Sequence, residues 1–100
     1  MKFNKIFIEK DLEKVKSKLI PCKELQGVSF DYDGENNQVI ILSFYDVDDE
    51  NSYLDHIHKI QVRIKNLLGV DIDPTDYDYD GGMDWVIPHH ELKKLKEVIK

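Results

Sequence analysis

Apolar and polar positions along this 100-residue chain follow two rhythms, one near 3.6 residues and one of two. Between Glu9 and Ile20 the apolar positions Leu12, Val15 and Leu19 recur at helical spacing among charges, which predicts a helix. Pro21 ends it, because the residue before a proline is pushed out of the α region. Ahead of it, Phe3, Ile6, Phe7 and Ile8 read either as a short strand or as the start of that helix. Val28, Phe30 and Tyr32 alternate with Ser29 and Asp31, the signature of a strand with one buried face. The turn formers of Asp33 to Asn37 follow. Gln38 to Tyr45 is then almost wholly apolar or β-branched, as in a more central strand.

A second unit repeats this order. Asp46 to Asn51 is a polar loop, with Asn51 or Ser52 as the expected N-cap. Leu54, Ile57, Ile60, Ile64, Leu67 and Leu68 form the longest helical stripe, stopped by Gly69. Val70 and Ile72 suggest a short strand before Pro74. Asp76 to Asp80 and Met83 to Ile87 flank Gly81-Gly82, a two-residue hairpin signal. Pro88 suits the first turn of a last helix, whose buried stripe would be Leu92, Leu95 and Val98 or Ile99. The segment Asp31-Tyr32-Asp33-Gly34 recurs 47 residues later as Asp78-Tyr79-Asp80-Gly81. Shared turn chemistry or an old duplication explains the echo, and both place an Asp-Gly pair at a hairpin tip.

These elements predict an α+β fold: a two-layer sandwich of about four mainly antiparallel strands with two or three helices on one face. The order is α-β-β-α-β-β-α, with an optional first strand that would make the opening ferredoxin-like. The length fits one domain, residues 1–100. With 41% hydrophobic and 10% aromatic residues the chain can fill a core.

Charge changes the picture more than composition does. The formal net charge is −6, from 14 basic and 20 acidic residues. That sign argues against general nucleic-acid binding and against an anionic membrane surface. The longest aliphatic run, Val39-Ile40-Ile41-Leu42, is far below the ~20 residues of a transmembrane helix. The charged opening residues lack the apolar core of a secretion signal. One cysteine, Cys22, excludes an internal disulfide and a Cys-rich metal site. The expected compartment is the cytoplasm.

Acid and base are also segregated. Residues 26–56 carry eight acids and no Lys or Arg, and residues 69–91 carry seven acids and none. The three flanking stretches, 1–25, 57–68 and 92–100, are each net +3. Base therefore sits on the predicted helices and acid on the hairpins and loops, with the carboxylates expected to crowd one end. Alternate strand residues lie ~6.7 Å apart on one side, so each neighbouring pair among Asp76, Asp78 and Asp80 repels by ~0.6 kcal/mol even in bulk water. The lysine-bearing helices, a bound cation or a basic partner would each offset that penalty. Tyr32, Tyr45, Tyr53, Tyr77, Tyr79 and Trp85 lie within or beside the acid blocks, and Tyr and Trp are enriched at interface hot spots.

Asp76-Tyr77-Asp78-Tyr79-Asp80-Gly81 fits the D-x-D-x-D-G opening of a calcium loop, with Asp84 at its ninth position. It resembles an EF-hand over about nine residues. Ile87 then stands where the bidentate Glu belongs, and Pro74 separates the motif from the preceding helix. His56 and His58, two apart on a helix, diverge and cannot share a metal there. His89 and His90 follow Pro88 at a helix start, where a His–carboxylate site with the other pair would need the fold to join the two regions. Cys22 reads as a small boundary hydrophobe or as a nucleophile with a distant His. No phosphate loop, serine elbow or zinc-spaced pair occurs.

No catalytic site is expected. The sequence instead predicts an acidic interaction protein that binds and neutralises a basic protein, such as a nuclease toxin, in the manner of an immunity protein, antitoxin or nucleic-acid mimic. The expected contact residues are Asp76, Tyr77, Asp78, Tyr79, Asp80 and Asp84, with Asp46, Asp48, Asp49 and Glu50 as a second patch. No cofactor is expected. The alternative is a weak calcium module using Asp76, Asp78, Asp80 and Asp84, and a metal-dependent hydrolase is a remoter one.

Overall fold

The computed structural model describes residues 3–45, 53–77 and 82–100, with side chains described within 3–44, 58–74 and 84–100. The elements run α1 (Glu9–Lys18), β1 (Leu25–Tyr32), β2 (Gln38–Tyr45), α2 (Tyr53–Leu68), β3 (Asp73–Tyr77), β4 (Gly82–Ile87) and α3 (His89–Val98). The four strands form one antiparallel sheet in the order β1-β2-β4-β3. This is the expected α+β two-layer sandwich. The expected N-caps Asn51 and Ser52 lie outside the described residues.

Side-chain alternation explains why the helices lie on one face. Val28 on β1, Ile40, Leu42 and Phe44 on β2, and Trp85 and Ile87 on β4 are buried. They join one core with Leu12, Val15 and Leu19 of the first helical segment, Ile60, Ile64 and Leu68 of α2, and Leu92, Leu95 and Ile99 of the last. Each such side chain contributes ~1.5–3 kcal/mol on full burial. Ile99, rather than Val98, completes the α3 stripe, since Val98 is exposed. Gly69 stops α2 with φ +72°, and its N–H donates to the Lys65 carbonyl at 2.9 Å. A left-handed helix terminus favours glycine there.

Three expectations are corrected. Phe3 to Ile8 forms neither a strand nor a helix turn. Asn4 makes a single parallel bridge to Asn37, beside β2 just beyond the last β2–β4 pair, Ile40 with Ile87. The ferredoxin-like order needs a strand before α1, so it is not adopted. Buried Gln38 holds this segment instead, accepting at Oε1 from the Ile6 and Phe7 N–H groups, each at 2.7 Å.

Second, Val70 and Ile72 are buried but precede the strand, which begins at Asp73 and includes Pro74. Proline is tolerated because β3 is an edge strand. Third, the β3–β4 ladder does not have the register that a two-residue Gly81-Gly82 turn requires, and Gly81 itself lies outside the described residues. Tyr77, the end of β3, pairs with Met83, and Gly82 already belongs to β4, where it pairs with Tyr45. A two-residue turn would have set Asp78 opposite Trp85 and Asp76 opposite Ile87, on the core face. The observed register, with a bulge between Pro74 and Asp76, sets Pro74 opposite Trp85 and Asp76 opposite Asp84. At Asp76 and Tyr77 the shift is three residues, an odd number that exchanges the two faces of the strand, and the bulge makes it four at Pro74, so burial selects the register.

The sequence echo is also re-registered. The first hairpin closes on Tyr32 with Gln38 and the second on Tyr77 with Met83, an offset of 45 rather than 47. The same offset relates Ile41 to Val86, which pair at the centre of the sheet. The hairpins therefore flank Ile41 and Val86 in a two-fold arrangement, each following a helix. Asp33-Gly34 lies in the first hairpin's turn, while Asp80-Gly81 lies outside the described residues.

Candidate functional site

The sheet face opposite the helices is open. Its central row runs Ser29, Ile41, Val86 and Asp73 across the four strands, and the neighbouring row runs Gly27, Ser43, Asp84 and Asp76. A third row begins Asp31 and Val39. Solvated faces of antiparallel sheets normally alternate to polar residues. Here Ile41 and Val86 are half-buried apolar side chains at the middle, with the exposed residues Ser29, Asp31, Asp73 and Asp84 around them. A groove of about 490 Å³ crosses this face, lined by Asp31, Tyr32, Asp33, Ile41, Asp84 and Val86 among others.

The carboxylates bordering the groove are oriented by local hydrogen bonds. Asp31 Oδ1 accepts from the Tyr32 N–H at 2.8 Å. Asp33 Oδ1 accepts from Glu35 N–H at 2.8 Å and Asn37 N–H at 3.0 Å, which builds the hairpin turn with Asn36 at φ 61°. Those backbone donors hold the Asp33 carboxyl below the ordinary aspartate range. Ser43 Oγ donates to Asp84 Oδ1 at 2.9 Å across the β2–β4 pair.

The predicted contact residues divide into two groups. Asp76 and Tyr77 lie in β3 and Asp84 in β4, with Asp76 and Asp84 at opposed register positions. Asp78, Tyr79, Asp80, Asp46, Asp48, Asp49 and Glu50 lie outside the described residues. Their attachment points are nevertheless informative. Tyr45, which ends β2, pairs with Gly82, which starts β4, so both acidic segments join the sheet at the same end. Asp31 and Asp33 sit at the opposite end, so the expected crowding of the carboxylates at one end is corrected: the described Asp31, Asp33 and Asp84 border one groove from both ends of the sheet.

Sequence reasoning left Asp31 and Asp33 out of the site. Alternation with Phe30 and Tyr32 put Asp31 on the solvent side, but only the register sets it across the groove from Asp84.

Several other acids are matched by the protein's own bases, and these belong to the helical layer and its borders. Arg63 pairs with Glu24 at 3.1 Å, Lys65 with Asp71 at 3.3 Å, and Lys96 with Asp11 at 2.6 Å. Among the described residues, Asp31, Asp33 and Asp73 make no ion pair with a base. Each helix is net positive in sequence, while the described charged residues of the open sheet face, Asp31, Asp73 and Asp84, are all acidic.

The alternative chemistries find less support. Strands β3 and β4 flank the calcium-like motif, so it has no helix–loop–helix frame. Among the described residues no group of three or more His, Cys, Asp or Glu side chains is placed to hold a metal ion. His89 Nδ1 contacts the Gln38 carbonyl oxygen at 2.8 Å, and His90 Nε2 lies 3.6 Å from Glu91 Oε1. Cys22 is buried, and burial pushes its thiol above the ordinary value despite nearby Arg63, the reverse of an activated nucleophile.

Fold and surface together define a class: a two-layer α+β sandwich whose uncovered sheet face is acidic with an apolar centre. No protein-family profile, curated protein or solved structure matches this chain. No helix among the described residues is long and apolar enough to cross a membrane.

Proposed function

We propose that this protein binds and neutralises a basic protein partner through its open sheet face, as an immunity protein, antitoxin or nucleic-acid-mimicking inhibitor would. The observation that carries the proposal is the combination on that face of half-buried Ile41 and Val86 with exposed Asp31, Asp73 and Asp84. Carboxylates steer a cationic surface into encounter and suppress wrong partners, while the desolvated apolar centre supplies affinity. Helices carrying the bases turn the opposite charge away from the approaching partner. Asp46, Asp48, Asp49 and Glu50, with Asp76, Tyr77, Asp78, Tyr79 and Asp80, extend this acidic surface in sequence from the end marked by Tyr45 and Gly82.

The test is affinity capture from the source organism with the full chain, followed by inspection of the captured protein's charge. The expected partner is strongly basic, binds more weakly as salt rises, and is lost when Asp76→Lys and Asp78→Lys are combined. Capture of a neutral or acidic protein that survives that double reversal would overturn the proposal.

A further inference from the structure

The groove on the open face has a shape and charge pattern that specify more than a generally basic surface. Resting on the function proposed above, we infer that it seats an extended segment of the partner bearing cationic side chains at positions i and i+4, with an apolar side chain at i+2.

Val39 and Ser43, which pair with Asp31 and Asp84 respectively, are four residues apart on β2, ~13.6 Å along the strand. Asp31 on β1 and Asp84 on β4 are also separated by two strand spacings, ~9.6 Å. The two aspartates therefore mark a diagonal of ~17 Å across the sheet, with Ile41 and Val86 between them. In an extended guest, positions i, i+2 and i+4 share a face, and i to i+4 spans ~13.6 Å. Long arginine side chains cover the remaining few ångströms while laying their aliphatic stems on apolar surface.

The receiving groups are already arranged. Asp31 and Asp33 are oriented by backbone N–H donors and Asp84 by Ser43. A carboxylate has about four acceptor sites, so one local hydrogen bond does not exhaust Asp31. Arginine suits such a group because it donates two parallel N–H bonds to one carboxylate. The separation of the two ends disfavours a single bound metal ion, whose ligands must converge within ~2.6 Å of one point.

The experiment titrates the full ¹⁵N-labelled chain with a synthetic heptapeptide, Ser-Arg-Ser-Val-Ser-Arg-Ser, and follows amide shifts. A second peptide of the same composition places its arginines side by side. Two double variants remove equal charge: Asp31→Asn with Asp84→Asn at the groove, and Glu9→Gln with Glu13→Gln on α1. Shifts are expected to concentrate at Ser29, Ile41, Ser43 and Val86. Affinity should fall up to roughly fivefold for the adjacent-arginine peptide, which gives up one exposed ion pair, and further for the groove variant, which gives up two. The α1 variant should bind as the parent does. Equal affinity for the two peptides, equal loss in both variants, or shifts centred on the helices would overturn the groove assignment.

The two proposals fail separately. A basic partner captured by the whole chain, with no seating of the peptide, removes the groove assignment alone. Peptide seating without capture of any basic protein removes the neutralising function and leaves the groove as a peptide site.

Discussion

The side-chain amide of Gln38 closes on the backbone of Phe7 from both sides: Oε1 accepts from the Phe7 N–H at 2.7 Å and Nε2 donates to the Phe7 carbonyl at 3.0 Å. Gln38 also donates its own N–H to the Asn4 carbonyl at 2.9 Å and accepts at Oε1 from Ile6. One fully buried side chain thus does for the opening segment what a strand ladder would otherwise do. A buried amide whose oxygen and nitrogen both find partners is stabilising, and the same group with one of them orphaned is costly.

Replacing Gln38 by Ala should therefore destabilise the protein by about 2–4 kcal/mol, since the part-buried Ile6 and buried Phe7 backbone donors lose their acceptor. Urea denaturation measures it. A Gln38→Glu change keeps the acceptor but loses the donor to Phe7 O, and should also destabilise. A loss below ~0.5 kcal/mol for Gln38→Ala would mean that water replaces the amide without penalty.

Asp11 and Lys96 make stability depend on acid pH. Burial pushes the Asp11 carboxyl up, but the hydrogen bond from Lys96, the Ile8 N–H and the neighbouring lysines outweigh it and hold the group below its ordinary value of 3.8. A carboxyl that binds its proton more weakly when folded stabilises the native state above the unfolded value. That stabilisation is lost as pH falls from about 3.8 through the lower native value. Asp11→Asn should flatten this part of the stability–pH curve. Lys96→Met should cost about 2 kcal/mol near neutral pH, discounted because Lys96 is one-third exposed. Parallel curves for the parent and Asp11→Asn between pH 2 and 5 would rule the pair out as the source.

Trp85 is fully buried, yet its indole Nε1 has no hydrogen-bond partner among the described residues. An unmet buried donor costs about 1–3 kcal/mol, which offsets part of what the ring's burial contributes. Trp85→Phe should accordingly cost under about 1.5 kcal/mol, while Trp85→Ala should cost about 3–5 kcal/mol by opening a cavity. Thermal melts followed by circular dichroism compare them, because this is the chain's sole tryptophan. Equal losses in the two variants would show that the indole N–H is satisfied in solution.

Calcium separates the neutralising function from the cation-module alternative. A site with real affinity raises stability by RT ln(1 + [L]/Kd), ~2.7 kcal/mol at a hundredfold excess over Kd. With strands on both sides of the Asp76 to Asp84 motif, millimolar calcium should leave the melting temperature unchanged. A clear rise with calcium, abolished by Asp76→Asn, would favour the calcium module.

The elements with a strong period were legible in the chain itself. Gln38 to Tyr45 was expected as a strand and has those bounds, because a run rich in Val, Ile, Phe and Tyr packs well on a sheet buried near its centre. The α2 stripe ended where Gly69 can adopt positive φ. Short-range signals failed where two of them competed. Around Pro74 and Gly81-Gly82 local turn chemistry favoured one ladder, but burial of Trp85 and Ile87 favoured another, and burial carries more free energy than a turn preference.

Sequence alone determined the α+β class, the segregation of base to helices and acid to hairpins, and the residues with apolar faces, since periodicity and charge order are properties of the chain. Tertiary structure decided which acids share a surface. Asp31 and Asp84 are 53 positions apart and meet across one groove only because β2 pairs with both β1 and β4. Cross-strand register is set by non-local burial, and no local pattern encodes it.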